Sequence, residues 1–335
     1  MKFLITGLGS MGKRRVRNLQ YLKAGALAGF DPREDRRAEA KEKYGIETYA
    51  DFDEAFERFN PDAVIISTPP DLHVKYAKLA VANDRHYFSE ASVVDDEMDE
   101  LLSLCRDHPN VVAAPSCTLR YHPSVRTIKQ IVEGGAFGRP LLFTYHSGQW
   151  LPDWHPWEDY RSFYVARRIT GACREIVPFE LSWLTWVLGP VETVSGLRAK
   201  LSALDIDIED AYQVLLKFRS GLLGHLLVDI IARTPVRCFR LCSELATVEW
   251  DATARRVRLF RAGAKDWEDI PESERIQEPG YVYAENMYIE EMRDFVAACG
   301  GERPWGYTLE DDVRTLGLLA AIERSSDEGV HVITG

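Results

Sequence analysis

No apolar run in the 335 residues approaches the roughly 20 residues that a membrane-spanning helix needs. There are no repeats, no low-complexity tracts and no Cys-x-x-Cys pair. The first absence predicts a chain that does not enter a membrane. The last removes the commonest thiol spacing of zinc and redox sites. The six cysteines (Cys105, Cys117, Cys173, Cys238, Cys242 and Cys299) are scattered. Cys238 and Cys242 are nearest to each other and have no ligand residues beside them, so no metal site is expected. All six read as reduced, mostly buried thiols. Positive charge is also short: 41 Lys and Arg stand against 52 Asp and Glu, a net −11, which argues against a nucleic-acid partner. Apart from Lys2 the basic residues follow the first apolar run, the reverse of a secretion signal, and a cytoplasmic location is expected.

What is present begins at Lys2–Arg17, KFLITGLGSMGKRRVR. A short apolar run, Phe3–Thr6, meets Gly7, Gly9 and Gly12, and a helical pattern (Met11, Val16, Leu19, Leu22) opens at once. Strand, glycine turn and helix N-terminus in that order suit a pyrophosphate: exposed N–H groups point at it and glycines let the backbone come close. Asp31 ends the next apolar run, Ala26–Phe30, where a carboxylate can accept hydrogen bonds from the adenine-ribose diol. It would repel a 2′-phosphate, so NAD is expected rather than NADP, with Arg33 the one nearby residue favouring NADP. The basic cluster Lys13, Arg14, Arg15 and Arg17 reads as a solvated helix face that also favours cofactor phosphates.

A chain of this length and ordinary composition (46% apolar, 28% charged) suggests two domains. Up to about residue 120, strand patterns (Lys2–Thr6, Ala26–Phe30, Glu47–Tyr49, Ala63–Ser67, His86–Ser89, Val111–Ala114) alternate with helical ones (Ser10–Leu22, Arg33–Tyr44, Phe52–Phe59, Leu72–Ala82, Glu97–Arg106). Gly45 and Asn83 are expected C-caps, and Asp95 or Asp96 an N-cap. This alternation predicts an α/β chain whose 1–120 segment is a doubly wound parallel Rossmann sheet. From 121 to 335 the runs turn strand-like, with helices at Ser124–Gly134, Ile176–Leu188, Ala284–Cys299 and Leu309–Ser326. An α+β domain with a large, mostly antiparallel open sheet follows.

Several segments together resemble the glucose–fructose oxidoreductase / inositol 2-dehydrogenase / MocA family: GLGSMG with Asp31, STPPDLHVKYA (67–77), RYHPSV (120–125), GGAFGRP (134–140), ENMYIEEMRDF (285–295) and YTLEDD. The resemblance covers essentially the whole chain. It implies NAD(P)-linked oxidation of a sugar or polyol, and an open C-terminal sheet used to form a homodimer or homotetramer. It also implies that Gly7, Gly9, Ser10, Met11, Gly12, Asp31, Arg33, Thr68, Pro69, His73 and Glu90 line the cofactor site. His122 reads as a packing residue.

Two departures from the family stand out. The family's Glu-Lys-Pro, whose lysine touches nicotinamide and the reacting hydroxyl, is here Glu90-Ala91-Ser92. Its Asp and, four residues on, His are here Glu175 and Phe179, and Ser182 replaces a further Asp. Alanine and phenylalanine carry no protons, so another titratable group must accept the hydroxyl proton. The segment QWLPDWHPWEDYR (149–161) is the richest source. His155 is the first candidate there and Tyr160 the second, with Glu175 a third that stands in an otherwise apolar helix and needs a partner. Trp150, Asp153, Trp154, Arg174 and Arg120 are candidate substrate contacts. The tryptophans, Trp157 included, suit either a sugar face or a subunit contact. Three readings follow: an NAD-dependent oxidoreductase of sugars or nucleotide sugars with a non-standard proton relay, a redox-neutral glycosidase, lyase or epimerase with tightly held NAD, and a non-catalytic sensor.

Overall fold

The computed structural model describes residues 1–334 except 155, 157, 273–275 and 277–283. It forms two compact units, Met1–Tyr121 with Arg275–Val313, and His122–Glu274 with Arg314–Gly335. The units are therefore not two consecutive stretches: a segment late in the sequence belongs to the first.

In chain order the first unit begins β1 (Lys2–Thr6), α1 (Ser10–Tyr21), β2 (Ala26–Phe30), α2 (Glu34–Tyr44), β3 (Glu47–Tyr49), α3 (Phe52–Phe59), β4 (Ala63–Ile66), α4 (His73–Ala82), β5 (His86–Ser89), α5 (Met98–Asp107) and β6 (Ala113–Pro115). The six strands lie in the order β3-β2-β1-β4-β5-β6, with every neighbour parallel. Their apolar runs are buried on both faces, as parallel strands under helical crossovers require; Leu4, Ile5, Val64 and Ile65 are wholly inaccessible. The order reverses between β1 and β4, and the strand ends there open the ligand crevice of such sheets.

The helices follow α6 (Pro123–Glu133) and α7 (Ala172–Leu188), then α8 (Asn286–Cys299) and α9 (Leu309–Glu328). Gly45 caps α2 in the left-handed conformation, as expected. Asn83 caps α4 as expected, at φ −110°, and the left-handed residue is the following Asp84. The α5 cap differs. Before α5 the N-cap is Glu97 at φ 61°, and the Asp95 contribution is its carbonyl, which accepts from the Met98 N–H at 3.1 Å.

The basic face of α1 is not solvated. Arg14 and Arg15 are buried, and α8 supplies the reason. Arg14 Nε donates to Glu285 at 2.9 Å, while Arg15 meets Glu291 at 3.0 Å and lies over Phe88, 4.5 Å from the ring centre. Glu291 accepts in addition from Ser116 Oγ, the Cys117 N–H and Thr118 Oγ1 at 2.7–2.9 Å. A buried charge is tolerated only when paired and hydrogen-bonded, and here α8 completes both.

The second unit holds a nine-stranded sheet: β7 (Pro140–Gly148), β8 (Val191–Ala199), β9 (Ala211–Phe218), β10 (Leu223–Asp229), β11 (Val236–Ser243), β12 (Ala246–Asp251), β13 (Arg256–Arg261), β14 (Glu268–Pro271) and β15 (Val332–Ile333). The order is β14-β13-β12-β11-β7-β10-β9-β8-β15, antiparallel except where β7 meets β10. The last two strands were not expected; four acidic-to-apolar residues and a pair leave too short a pattern to read. One face carries Tyr145, Phe239 and Trp250 beneath Trp183 of α7, ring edges against ring faces. On the other, Leu142, Leu197, Leu215 and Leu223 are more than half exposed. His122 does pack, its ring 4.9 Å from Trp250, and its Nδ1 also accepts from the Ser124 N–H to cap α6. Of the six free cysteines only Cys117 and Cys173 are buried, and Cys238 is exposed.

Candidate active site

The turn after β1 is shaped by backbone contact. Gly7 has φ +85°, and a Cβ there would sit 2.6 Å from the Ser67 carbonyl oxygen. A Cβ on Gly12 would overlap the Gly7 carbonyl at 1.8 Å. Gly9 differs: its missing Cβ would meet only the Arg36 guanidinium, 3.5 Å away. The first glycine makes the turn, the third lets the helix approach, and the second leaves room. Gly9 caps α1 without a side-chain hydrogen bond, so Ser10 and Met11 begin a helix whose positive end suits an anion.

Asp31 stands beside that turn, 2% exposed. Its Oδ2 accepts from the Leu8 N–H at 2.8 Å and its Oδ1 from the Arg33 N–H at 2.9 Å. A carboxylate has about four acceptor positions, so two remain for a diol. The Arg33 side chain turns away to Asp35 in an exposed pair at 2.6 Å. Arg36 is the arginine that faces Asp31, at 3.5 Å. Sequence reasoning missed it because a helix turn, not adjacency, brings it back.

At the end of β4, Thr68 precedes Pro69 and the single helical turn Pro70–Leu72. His73 Nε2 lies 2.9 Å from the Thr68 carbonyl, which makes Nε2 the protonated nitrogen. Burial pushes the His73 pKa below the ordinary value, against the pull of that carbonyl, so the ring is neutral near pH 7. His73 Nδ1 and Thr68 Oγ1 are then buried polar atoms with no partner among the described residues. Orphaned polar atoms beside a glycine turn fit a dinucleotide reaching the β1/β4 switch point. Glu90, at the end of β5, is gripped by Arg15 Nε and Nη2 at 2.6 and 2.8 Å, and Ser67 Oγ adds a contact at 3.3 Å. Arg120 lies over Tyr307, 4.4 Å from the ring centre.

In the second unit, α7 begins at Ala172, four residues before its apolar pattern, so Glu175 occupies the first turn, where the helix dipole favours a carboxylate. Tyr164 Oη donates to it at 3.3 Å. Arg174 is taken up by Glu323 at 2.7 Å and by the Ile169 carbonyl at 2.7 Å, a brace within the unit. Trp150 and Tyr160 line one hollow; Asp153 is exposed, and the Trp154 indole N–H is buried without a partner among the described residues. His155 and Trp157 lie outside the described residues.

Two groups were not anticipated. Glu180, wholly buried in α7, accepts from Tyr145 Oη (2.6 Å), Ser147 Oγ (2.8 Å), Trp183 Nε1 (3.0 Å) and Arg237 Nη2 (2.7 Å). The helix was therefore not apolar apart from Glu175. A carboxylate inside PFELSW was the available signal, since it must find partners. His146 Nε2 pairs with Asp229 at 2.6 Å across β7 and β10. Gly148 makes the space, because a Cβ there would lie 2.6 Å from the Asp229 oxygen and 2.9 Å from the His146 nitrogen. Among the described residues no cluster of three His, Cys, Asp or Glu could hold a metal ion.

The parallel sheet with its open glycine turn and acidic β2 end defines a dinucleotide-binding Rossmann unit, joined in sequence to a mostly antiparallel sheet. Two family models match accordingly: the oxidoreductase family's NAD-binding Rossmann fold over residues 1–115, and the GFO/IDH/MocA C-terminal domain over 125–249. The chain belongs to the Gfo/Idh/MocA family of NAD-binding oxidoreductases. It is 25% identical to a myo-inositol 2-dehydrogenase of Thermotoga maritima, covering 98% of this chain and 97% of that one. It is 22% identical to a dTDP-3,4-didehydro-2,6-dideoxy-α-D-glucose 3-reductase of Saccharopolyspora spinosa, over 89% of this chain and 87% of that one. Among solved structures, levoglucosan dehydrogenase in complex with NADH superposes with TM-score 0.87 at 18% identity, over 100% and 99% of the two chains. The WlbA dehydrogenase of Bordetella pertussis with NADH and UDP-GlcNAcA gives 0.81 at 19%, again over 100% and 99%.

Proposed function

We propose that the chain uses NAD to interconvert a hydroxyl and a carbonyl on a sugar or nucleotide-sugar derivative. The observation that carries this reading is the uncapped, glycine-walled start of α1 beside Asp31. The relatives named above act on an inositol, a deoxyhexose nucleotide and levoglucosan, which supports the substrate class. When bound, the nicotinamide ring accepts or returns the hydride. Gly7, Gly9 and the first amides of α1 hold the diphosphate, Asp31 accepts from the adenine ribose, and Thr68 and His73 offer their unpartnered atoms to the nicotinamide end. Arg15 keeps Glu90 fixed as an acceptor. With Ala91 and Phe179 at the family's proton-carrying positions, we assign the hydroxyl proton to Glu175, oriented by Tyr164, ahead of His155 and Tyr160.

Incubation with NAD or NADH and a panel of free, UDP- and CMP-sugars tests the reading by nicotinamide absorbance. Glu175→Gln should lower kcat by about 10²–10⁴-fold, the usual range for a general base, with NAD affinity unchanged. No absorbance change with any substrate in either direction would sink it. One observation favours a second reading: the missing Lys and His suit a redox-neutral enzyme with NAD held throughout. Copurified cofactor and solvent deuterium entering the sugar would mark it. The exposed leucines of β7–β10 support association with a second copy of this chain through that sheet face.

A further inference from the structure

Among the described residues, Arg233 has neither a carboxylate nor a carbonyl on its guanidinium. Its guanidinium lies on Trp150, 3.6 Å from the ring centre, and makes no hydrogen bond or ion pair with any described residue. Stacking fixes the plane of the fork and leaves its N–H edge unused. Arg233 and Trp150 stand at a hollow of about 420 Å³ that Pro152, Tyr160, Leu204 and Ile231 help to line. That volume falls within the range for small-molecule sites, about 300–1,000 Å³.

The walls are pinned by carboxylates that are themselves spent. Asp210 accepts from Lys200 Nζ, the Leu201 and Ser202 N–H groups and Ser202 Oγ, all at 2.6–3.1 Å, which fixes the Lys200–Leu204 wall. Asp229 accepts from the Ile231 and Ala232 N–H groups at 2.9 and 2.8 Å as well as from His146, which fixes the wall before Arg233. Asp205 pairs with Arg161 at 3.0 Å, and its N–H donates to Tyr160 Oη at 3.3 Å. Tyr160 thus has its acceptor side used and its proton to give. Ser202 Oγ is consumed by Asp210 and by the Leu204 N–H. The groups left over are donors only, an arginine fork and a phenol, above an apolar floor and beside an indole. Among the described residues no carboxylate lines the hollow.

We infer that this hollow binds a sugar bearing an acidic group, carboxylate or phosphate, with Arg233, held on Trp150, taking the anion and Tyr160 a ring or acid oxygen. The sugar half rests on the function proposed above; the anion half rests on Arg233 alone. It makes Arg233 a specificity-determining residue that a neutral polyol would leave unanswered.

The test is binding to the intact protein without added NAD, by calorimetry and by tryptophan emission, with Trp150→Phe identifying the responding indole. The probes are glucuronate, glucose 6-phosphate, glucose and sulfate. Glucuronate or glucose 6-phosphate should bind at least tenfold tighter than glucose and than sulfate, and the better of the two says which acid is meant. Arg233→Gln should weaken that probe by about 10- to 100-fold, the range of one charge-assisted hydrogen bond, with Arg233→Lys between. Arg233 is exposed, so its variants should melt as the parent does. Equal binding of glucose and the acids, equal binding of sulfate alone (an adventitious ion only), no binding, or unchanged affinity in Arg233→Gln overturns the inference. Tight acid-sugar binding with no turnover under NAD would leave it standing and count against the proposed oxidoreductase.

Discussion

At Asp31, one carboxylate shares its space with a cation that sequence adjacency does not reveal. Arg33 is spent on Asp35, while Arg36 lies 3.5 Å from Asp31 and over Gly9. Removing the acid should convert a site that repels a 2′-phosphate into one that attracts it. Asp31→Ser is expected to shift the NADP/NAD ratio of kcat/KM by roughly 10- to 100-fold toward NADP, the worth of one or two charge-assisted contacts. An unchanged ratio would mean that the ribose is read elsewhere. Asp312 makes a second residue-level case. Burial pushes its carboxyl up to about 6, although hydrogen bonds from Ser92 and Tyr307 pull the other way. An acid with a raised folded pKa binds a proton that the unfolded chain has released, so stability falls as pH rises from about 4 to 6 and is flat above. A two-unit shift corresponds to about 3 kcal/mol. Asp312→Asn, able to accept from Tyr307 and donate to Ser92, should lose that slope in urea unfolding at pH 4.5 and 7.5. An identical slope in both proteins would refute the assignment.

Elements of the first unit are tied by charge as much as by apolar surface. α1 carries Arg15 inward, and β5 and α8 each bring one carboxylate to it. Burial works against the Arg15 charge, yet Glu90 and Glu291 together hold it well above its usual range; Glu291 in turn is pushed up by burial against the pull of Arg15. Arg15→Met should destabilise by about 3–5 kcal/mol, because it strands two acids rather than one. The loss should be greater at pH 8 than at pH 5, where Glu291, already pushed up by burial, takes a proton more readily. Thermal melts at the two pH values decide it, and a uniform or negligible drop would show that solvent reaches the site. The strands and helices were legible from their periods, several to the residue. What was not legible was which helix faces are wet: KRRVR has the pattern of a solvated face, and only Glu90, Glu285 and Glu291 bury Arg14 and Arg15.

At the scale of the molecule, the open face of the nine-stranded sheet sets the expectation of self-association. Leu197 and Leu215 are 71% and 59% exposed on neighbouring strands, and a stripe of this kind on one face is unusual for a monomer. Sedimentation velocity should give a dimer or larger, and Leu215→Arg, which touches no core, should shift it toward the monomer. A monomeric parent would remove the premise. The glycine turn, Asp31, the strand–helix alternation and the parallel sheet followed by a mostly antiparallel one were determined by the sequence itself, because periodicity and φ requirements are local and act wherever the chain goes. The pairing of Arg14 and Arg15 with Glu285 and Glu291, the burial of Glu180, the His146–Asp229 contact and the unspent Arg233 were decided only by the tertiary structure. Each depends on which side chains arrive at one point from residues as many as 276 positions apart, or on which do not arrive, and Coulomb and hydrogen-bond energies at 3 Å leave no trace in local pattern.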